Sequence, residues 1–177
     1  MSTGALIIVA LRLLIPLSIF RSPLWGALAS LLIDAFDVVL IEVLGLGGFD
    51  DRYHTLDKLL DTYYLSFLWV VSFRWANEYA RWISVVLFPF RVVGVVLFEL
   101  TNHRVMLFIF PNLFENWWLY CAATARFAPA MEPRSATSSA AILTALLIPK
   151  MAQEYLLHYA EAQPWDWIKR HILRGRV

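Results

Sequence analysis

The chain has 177 residues, of which 60% are hydrophobic, 15% aromatic and only 16% charged. An average soluble domain is about half apolar and about a quarter charged, so a soluble chain this short could not hide so much apolar surface. The net charge of +1 gives no case for nucleic acid as a partner, and a single cysteine excludes an internal disulfide and any multi-cysteine metal site. We expect one all-α transmembrane domain over residues 1–177, with a short basic tail at 162–177.

Six apolar segments are long enough to cross a bilayer, which takes about 20 residues. The segments lie near 4–20, 24–46, 55–76, 79–100, 105–126 and 139–161. Their apolar runs are continuous, and lipid offers no water to an unpaired backbone, so helices are predicted rather than strands. The sequence therefore predicts a polytopic membrane bundle of about six helices.

The orientation of this bundle is predicted from tryptophans and basic residues. Most of the eight tryptophans lie at or just beyond predicted helix ends, where one edge of the ring is apolar and the other is wet. Basic residues are slightly more numerous on the side that holds both termini, and they are most concentrated in the tail IKRHILRGRV. We expect a multi-pass protein of the cell membrane with both termini cytoplasmic. Membrane lipids are its expected partners, and a membrane-protein partner or a second copy of the chain is a further candidate.

Ionisable side chains interrupt the apolar segments, although each costs at least about 2.5–3.5 kcal/mol at the centre of a bilayer. The cations are Arg12, Arg91 and Lys150, and the anions are Asp34, Asp37, Glu42, Asp61, Glu115 and Glu154. Asn112 and Asn116 share a helix face with Glu115, at helical spacing. Counted from the helix ends, most of these residues fall in the cytoplasmic half or near the middle, which predicts a polar cavity open to the cytoplasm. Arg12 and Arg91 could also serve only to neutralise neighbouring carboxylates.

Two aspartate pairs lie on consecutive segments. Asp34 and Asp37 are three residues apart, Asp57 and Asp61 are four apart, and a GLGG turn at 45–48 joins their helices. Packed carboxylates repel each other unless they are protonated, matched by cations or bridged by a metal. Oxygen ligands at this density suit Mg²⁺ or Mn²⁺. The pattern predicts that all four aspartates form one divalent-cation site at the cytoplasmic side.

This arrangement resembles the CDP-alcohol phosphatidyltransferases, which are six-helix membrane enzymes with the signature D-x2-D-G-x2-A-R-x8-G-x3-D-x3-D. The sequence DAFD at 34–37 is similar to the first aspartate pair, and LDKLLD at 56–61 is similar to the second. The chain departs from the signature where Val38 replaces glycine and where Ile41 and Glu42 replace Ala-Arg. The resemblance implies that the aspartates hold a divalent metal and that the substrate is a CDP-linked lipid.

Three functions fit these residues. In a metal-dependent enzyme that modifies phospholipids, Asp57 and Asp61 would be catalytic, one of them as a general base, while polar residues bind the substrate. The candidates for substrate binding are Arg91, Arg104, Lys150, Asn112, Glu115 and Asn116. In a proton- or cation-coupled transporter, the same mid-membrane charges would carry the coupling ion. In a non-catalytic subunit of a membrane complex, the charges would only hold helices together.

Overall fold

The computed structural model describes residues 3–43, 53–103 and 105–156, and every regular element within these ranges is helical, as predicted. The α-helices are α1 (Thr3–Leu14), α2 (Pro23–Val43), α3 (Tyr53–Ser72), α4 (Glu78–Thr101), α5 (Val105–Ile109), α6 (Leu113–Phe127) and α7 (Ala136–Glu154). Two 3₁₀ segments, Ile15–Phe20 and Pro129–Met131, complete them. The side chains of 3, 37–43 and 53–55, and all of 1–2, 44–52, 104 and 157–177, lie outside the described part.

Five of the six predicted segments correspond to one continuous helical stretch each, although the first changes from α to 3₁₀ geometry at Ile15. The prediction of one helix over 105–126 is wrong. The chain leaves helical geometry between Ile109 and Leu113, where Pro111 lacks an amide hydrogen and its ring would clash with the preceding turn. The carbonyl of Phe110, which this break leaves without a helical partner, accepts a hydrogen bond from Nη1 of Arg91 at 3.0 Å. The ends of the second and sixth predicted segments, 44–46 and 157–161, lie outside the described residues.

Side-chain contacts show how the helices alternate in direction. The α1 stretch and α3 run the same way, since Arg12 meets Asp57 and Phe20 packs on Phe67 further along both. Helix α4 runs against α3, because Lys58 at the start of α3 pairs with Glu99 while Trp69 near its end stacks on Phe88. These directions bring the starts of α1, α3 and α5 together with the ends of α2, α4 and α7. We call this the acidic end of the molecule, and the other the loop end.

Helix α6 is the centre of the core. Phe114, Trp117 and Trp118 have no exposed surface. The indole N–H of Trp118 donates to the carbonyl of Leu68 on α3 at 2.9 Å, and that of Trp117 donates to Ala80 on α4 at 3.3 Å. Both buried indoles therefore satisfy their polar atom while joining α6 to α3 and α4.

The surface is more apolar than expected for a soluble fold. Large hydrophobic side chains point outwards on most helices, among them Leu14 at 63%, Val86 at 66% and Leu100 at 75% exposure. By length and hydropathy, Glu78–Thr101 is the one helix of the described residues that could cross a bilayer by itself. The helical stretches Gly4–Phe20 and Pro23–Phe36 are apolar but shorter.

We expect Gly26→Ala to destabilise the fold, because α2 approaches the preceding 3₁₀ segment backbone to backbone at this glycine. A β-carbon at position 26 would lie 2.5 Å from the backbone nitrogen of Ile19, which cannot move aside as a flexible side chain can. Overpacking of this kind costs about 1–3 kcal/mol. The melting temperature in detergent should fall for Gly26→Ala and stay close to the parent's for Ala35→Leu, which adds more volume at an exposed position of the same helix. If Gly26→Ala has the same melting temperature as the parent, the close approach of α2 to the 3₁₀ segment is contradicted.

Candidate functional site

An arginine lies among three aspartates at the acidic end. Arg12 is 5% exposed although it follows an apolar stretch of α1, and its guanidinium reaches carboxylates on two other helices. Nη1 donates to Oδ1 of Asp57 at 2.6 Å, and Nη2 donates to Oδ1 of Asp61 at 2.5 Å and to Oδ1 of Asp34. One buried cation therefore joins α1 to α2 and α3.

The three carboxylates are close enough to act as one group. Each contributes an oxygen that lies within 4.8 Å of the others', and all three side chains are half-buried. If all three are ionised, three negative charges surround one positive charge, which leaves a net charge of −2 in the cluster. Oxygen donors at this spacing fit a hard divalent cation, which takes six or more oxygen ligands. Such a cation would compete with Arg12 for the same carboxylates.

A second polar group continues from this cluster into α6 and α7. The hydroxyl of Tyr64 donates to Oε1 of Glu115, and Nδ2 of Asn112 donates to Oε2 of the same carboxylate at 2.8 Å. The backbone N–H of Asn112 donates to Oε1 of Glu154 at 3.4 Å, and Nζ of Lys150 pairs with that oxygen at 3.1 Å. Tyr64 also lines a small cavity with Arg12 and Asp34, so it lies beside both groups.

A narrow crevice of about 20 Å³, the space of about one water molecule, separates the two groups. Its polar lining consists of Lys58, Asp61, Thr62, Arg91 and Asn112. Asp61 therefore belongs to both the aspartate cluster and the crevice. Arg91 is close enough to Glu154, Asp61 and Glu115 to interact electrostatically with each. Within the described part, Oδ1 of Asn112 is buried without a hydrogen-bond partner.

The structure thus brings together most of the residues predicted from the sequence. Asp34, Asp57 and Asp61 meet, whereas the side chain of Asp37 and the whole of Arg104 lie outside the described residues. Asn116 is half-buried on α6, and its side chain makes no hydrogen bond within the described part of the chain. Sequence reasoning assigned no site role to Arg12, Lys58, Tyr64 or Glu154. The available signal for Arg12 was the cost of a charge inside an apolar run.

We expect Arg12→Gln to be strongly destabilising, because it leaves three adjacent carboxylates without the cation that touches them all. Removing one partner of a buried ion pair costs about 3–5 kcal/mol. The melting temperature in detergent without added divalent cations should fall much further than for Arg21→Gln, which removes an exposed arginine at the loop end. Asp57→Asn should partly restore the Arg12→Gln protein, because it removes one of the repelling charges. Equal melting of the two arginine variants would show that Arg12 is not bound as described.

The chain matches no family model, no curated protein and no solved structure. Its function is therefore inferred from the contacts of its own described residues, above all those that gather three aspartates around Arg12.

Proposed function

We propose that this protein is a multi-pass protein of the cell membrane with both termini in the cytoplasm, and that its aspartate cluster is a divalent-cation site used on a phospholipid substrate. The proposal makes the acidic end cytoplasmic. Three separate observations support the proposal. They are the distribution of apolar side chains, the excess of carboxylates around Arg12, and the polar crevice beside Asp61.

The apolar surface supports the membrane location. Side chains such as Leu14, Val86 and Leu100 point outwards, while charged residues such as Lys150 and Glu154 are buried. Soluble monomers rarely expose apolar patches of more than a few hundred Å². A polar interior inside an apolar exterior is the arrangement expected when the solvent is lipid, because a charged group then prefers a partner inside the protein. The five continuous helical stretches and the broken pair α5–α6 would then form six crossings.

The observation that carries the proposed chemistry is the meeting of Asp34, Asp57 and Asp61 around Arg12, the one cation of the described residues that hydrogen-bonds to all three. A structural ion pair needs one carboxylate for one guanidinium. The excess of carboxylates therefore calls for a further cation or for bound protons. Mg²⁺ or Mn²⁺ would suit the oxygen donors, and the bound ion would neutralise and polarise a phosphate group.

The residues around the cluster suit a phosphate-containing substrate. Arg91 and Lys58 line the crevice beside Asp61 and offer N–H donors to phosphate oxygens. Asp61 and Asp57 are the candidates for accepting a proton from an attacking hydroxyl. Lys150, Asn112 and Glu115 form the neighbouring polar group and would orient the polar part of the substrate. A lipid would reach this position from the side, since α3 and α4, which line the crevice, also face outwards along their apolar surfaces.

The resemblance to CDP-alcohol phosphatidyltransferases gives the first substrate to try. Its aspartate pairs supply the three residues of the cluster, while Val38, Ile41 and Glu42 depart from the family signature. A CDP-linked lipid and an acceptor alcohol are therefore proposed as the substrates. The products would be a phosphodiester lipid and CMP.

Binding of a divalent cation should raise the melting temperature of the detergent-solubilised protein. An ion that binds only the folded state stabilises it by about 2.7 kcal/mol at a concentration of 100 times its dissociation constant. We expect Mg²⁺ or Mn²⁺ to have this effect on the parent and to lose it in Asp34→Asn, Asp57→Asn and Asp61→Asn. Glu99→Gln, which removes a carboxylate outside the cluster at the same end, should keep it. If millimolar Mg²⁺, Mn²⁺ and Ca²⁺ all leave the melting temperature of the parent unchanged, the proposed cation site is contradicted.

Turnover should depend on the same residues and on one side of the membrane. With CDP-diacylglycerol and a mixture of alcohols, we expect CMP release from inverted membrane vesicles in the presence of Mg²⁺ or Mn²⁺. Sealed right-side-out vesicles with an impermeant alcohol should release none, because the proposed site opens to the cytoplasm. Asp61→Asn should remove turnover, and Arg91→Lys should weaken it, because lysine keeps the charge without the planar pair of donors.

A proton- or cation-coupled transporter is the second candidate, and the polar chain from Tyr64 to Lys150 favours it. This chain joins α3, α6 and α7 through Glu115 and Glu154, as carboxylates in a coupling path would. The two candidates predict different results for CMP release and for ion flux. A transporter would release no CMP, and its Glu115→Gln variant would lose proton or cation flux into proteoliposomes while the melting temperature stayed responsive to the ion. If neither turnover nor flux is found and no ion binds, the cluster serves to hold helices in a membrane complex.

A further inference from the structure

A cavity at the loop end, far from the aspartate cluster along the helices, has the chemistry of a binding site. Its volume is about 240 Å³, and it is lined by Trp75, Ala76, Asn77, Ala80, Cys121, Ala125, Glu132 and Pro133. Most of this lining is apolar, formed by alanine methyl groups, an indole and a proline. The charged side chain among these residues is the carboxylate of Glu132.

Contacts around the cavity hold that carboxylate in place. Nδ2 of Asn77 donates to Oε2 of Glu132 at 3.1 Å and to the carbonyl of Pro133 at 2.9 Å. The Oδ1 of Asn77 caps α4 by accepting from the N–H of Ala80 at 3.0 Å. Tyr120 donates to the carbonyl of Met131 at 2.7 Å, which ties the α6–α7 connection down beside them. These hydrogen bonds therefore fix the cavity wall without a bound ligand.

The charge of Glu132 is not matched by a cation in the described residues. Arg81 lies in the same region but donates to the carbonyl of Trp75 at 3.1 Å and pairs with Glu78 at 3.7 Å. It is not part of the cavity lining. The cavity thus combines one carboxylate with one aromatic wall, and the indole of Trp75 is itself fixed by packing on Trp118 at 5.3 Å between ring centroids.

We propose that this cavity binds a small organic ammonium ion, either free or as the headgroup of a choline lipid. The carboxylate of Glu132 supplies the opposite charge, and the indole of Trp75 offers the face on which quaternary ammonium groups are recognised. The alanine methyl groups match the carbon atoms of such an ion. The volume is sufficient, since an apolar cavity of about 150 Å³ already binds benzene. This site is independent of the aspartate cluster and of any reaction there.

Cys121 is a built-in reporter for the site, because it lines the cavity and is the single cysteine of the chain. Its labelling can be measured in nanodiscs with a methanethiosulfonate reagent that carries a trimethylammonium group and with the sulfonate analogue. Each rate is divided by that reagent's rate with free 2-mercaptoethanol. We expect the normalised rate to favour the cationic reagent in the parent. Glu132→Gln should reduce this preference by about twofold to fivefold, as expected for loss of a partly exposed ion pair.

The matched control is Glu78→Gln, which removes a carboxylate at the same end that does not line the cavity. It should keep most of the preference for the cationic reagent. The variant Glu132→Gln retains an oxygen that can accept from Asn77, and its melting temperature checks that the loop end is intact. In a second measurement, tetramethylammonium chloride should slow labelling by a neutral methanethiosulfonate reagent in the parent and not in Glu132→Gln.

The lipid composition of the nanodiscs identifies the source of the ammonium group. If a headgroup fills the cavity, the neutral reagent should label Cys121 more slowly in phosphatidylcholine than in phosphatidylglycerol. Glu132→Gln should remove this difference. If the ligand is a free ion, the two lipids should give equal rates and only tetramethylammonium should protect. The proposal is overturned if the parent and Glu132→Gln share one charge preference and neither tetramethylammonium nor phosphatidylcholine protects Cys121. The outcome does not bear on cation binding by the aspartates, which the melting experiments measure separately.

Discussion

The contact of Arg12 with three carboxylates is the constraint on which the arrangement of the first three helices depends. Helices α2 and α3 would otherwise bring Asp34, Asp57 and Asp61 together against their mutual repulsion. Two like charges about 4 Å apart repel by about 4 kcal/mol at an effective dielectric of 20. The guanidinium offers its donors in a fixed planar fork and cannot lose its proton, so it holds all three carboxylates in a way that lysine could not. The position of α1 follows from this contact, since its buried face continues from Ala5 and Ile8 to Arg12.

The polar residues further along the chain depend on a second local event, the break at Pro111. A continuous helix over 105–126 would hold Asn112 inside a turn and would leave Phe110 bonded within the helix. The break instead exposes the carbonyl of Phe110 to Arg91 and the N–H of Asn112 to Glu154. Buried polar groups of this kind are costly unless they are satisfied, so the two contacts stabilise the irregular segment and also hold the crevice together.

The existence of the helices and most of the polar residues at the acidic end could be predicted from the sequence. Long apolar runs and the separation of the aspartate pairs are local signals, so helix positions and the meeting of Asp34 with Asp57 and Asp61 could be expected. The sequence suggested that Arg12 neutralises carboxylates but could not identify them, because its partners lie 22, 45 and 49 residues away and no local pattern selects them. Pro89 and Pro149 lie inside helices while Pro111 ends one, and that difference depends on neighbouring contacts such as that of Arg91. The loop-end cavity had no sequence signal, because the α3–α4 connection, α4, α6 and the α6–α7 connection each contribute only part of it.

The cost of the aspartate cluster is itself an argument that it has a role beyond stability. Replacing a buried ion pair by well-packed hydrophobic residues is often neutral or even stabilising by about 1–4 kcal/mol, so an apolar chain has no need of charges to join α1, α2 and α3. A group kept only to join helices would also be expected to balance, with one carboxylate for one arginine. Within the described residues, three carboxylates hydrogen-bond to one guanidinium and do not balance at that contact. Asp61 also lines the crevice, where Lys58 and Arg91 add positive charge. The imbalance is costly without a further cation or a proton, and it is what a site that takes up a positive charge requires. The same reasoning applies at the loop end, where Glu132 faces a cavity with no matching cation among the described residues.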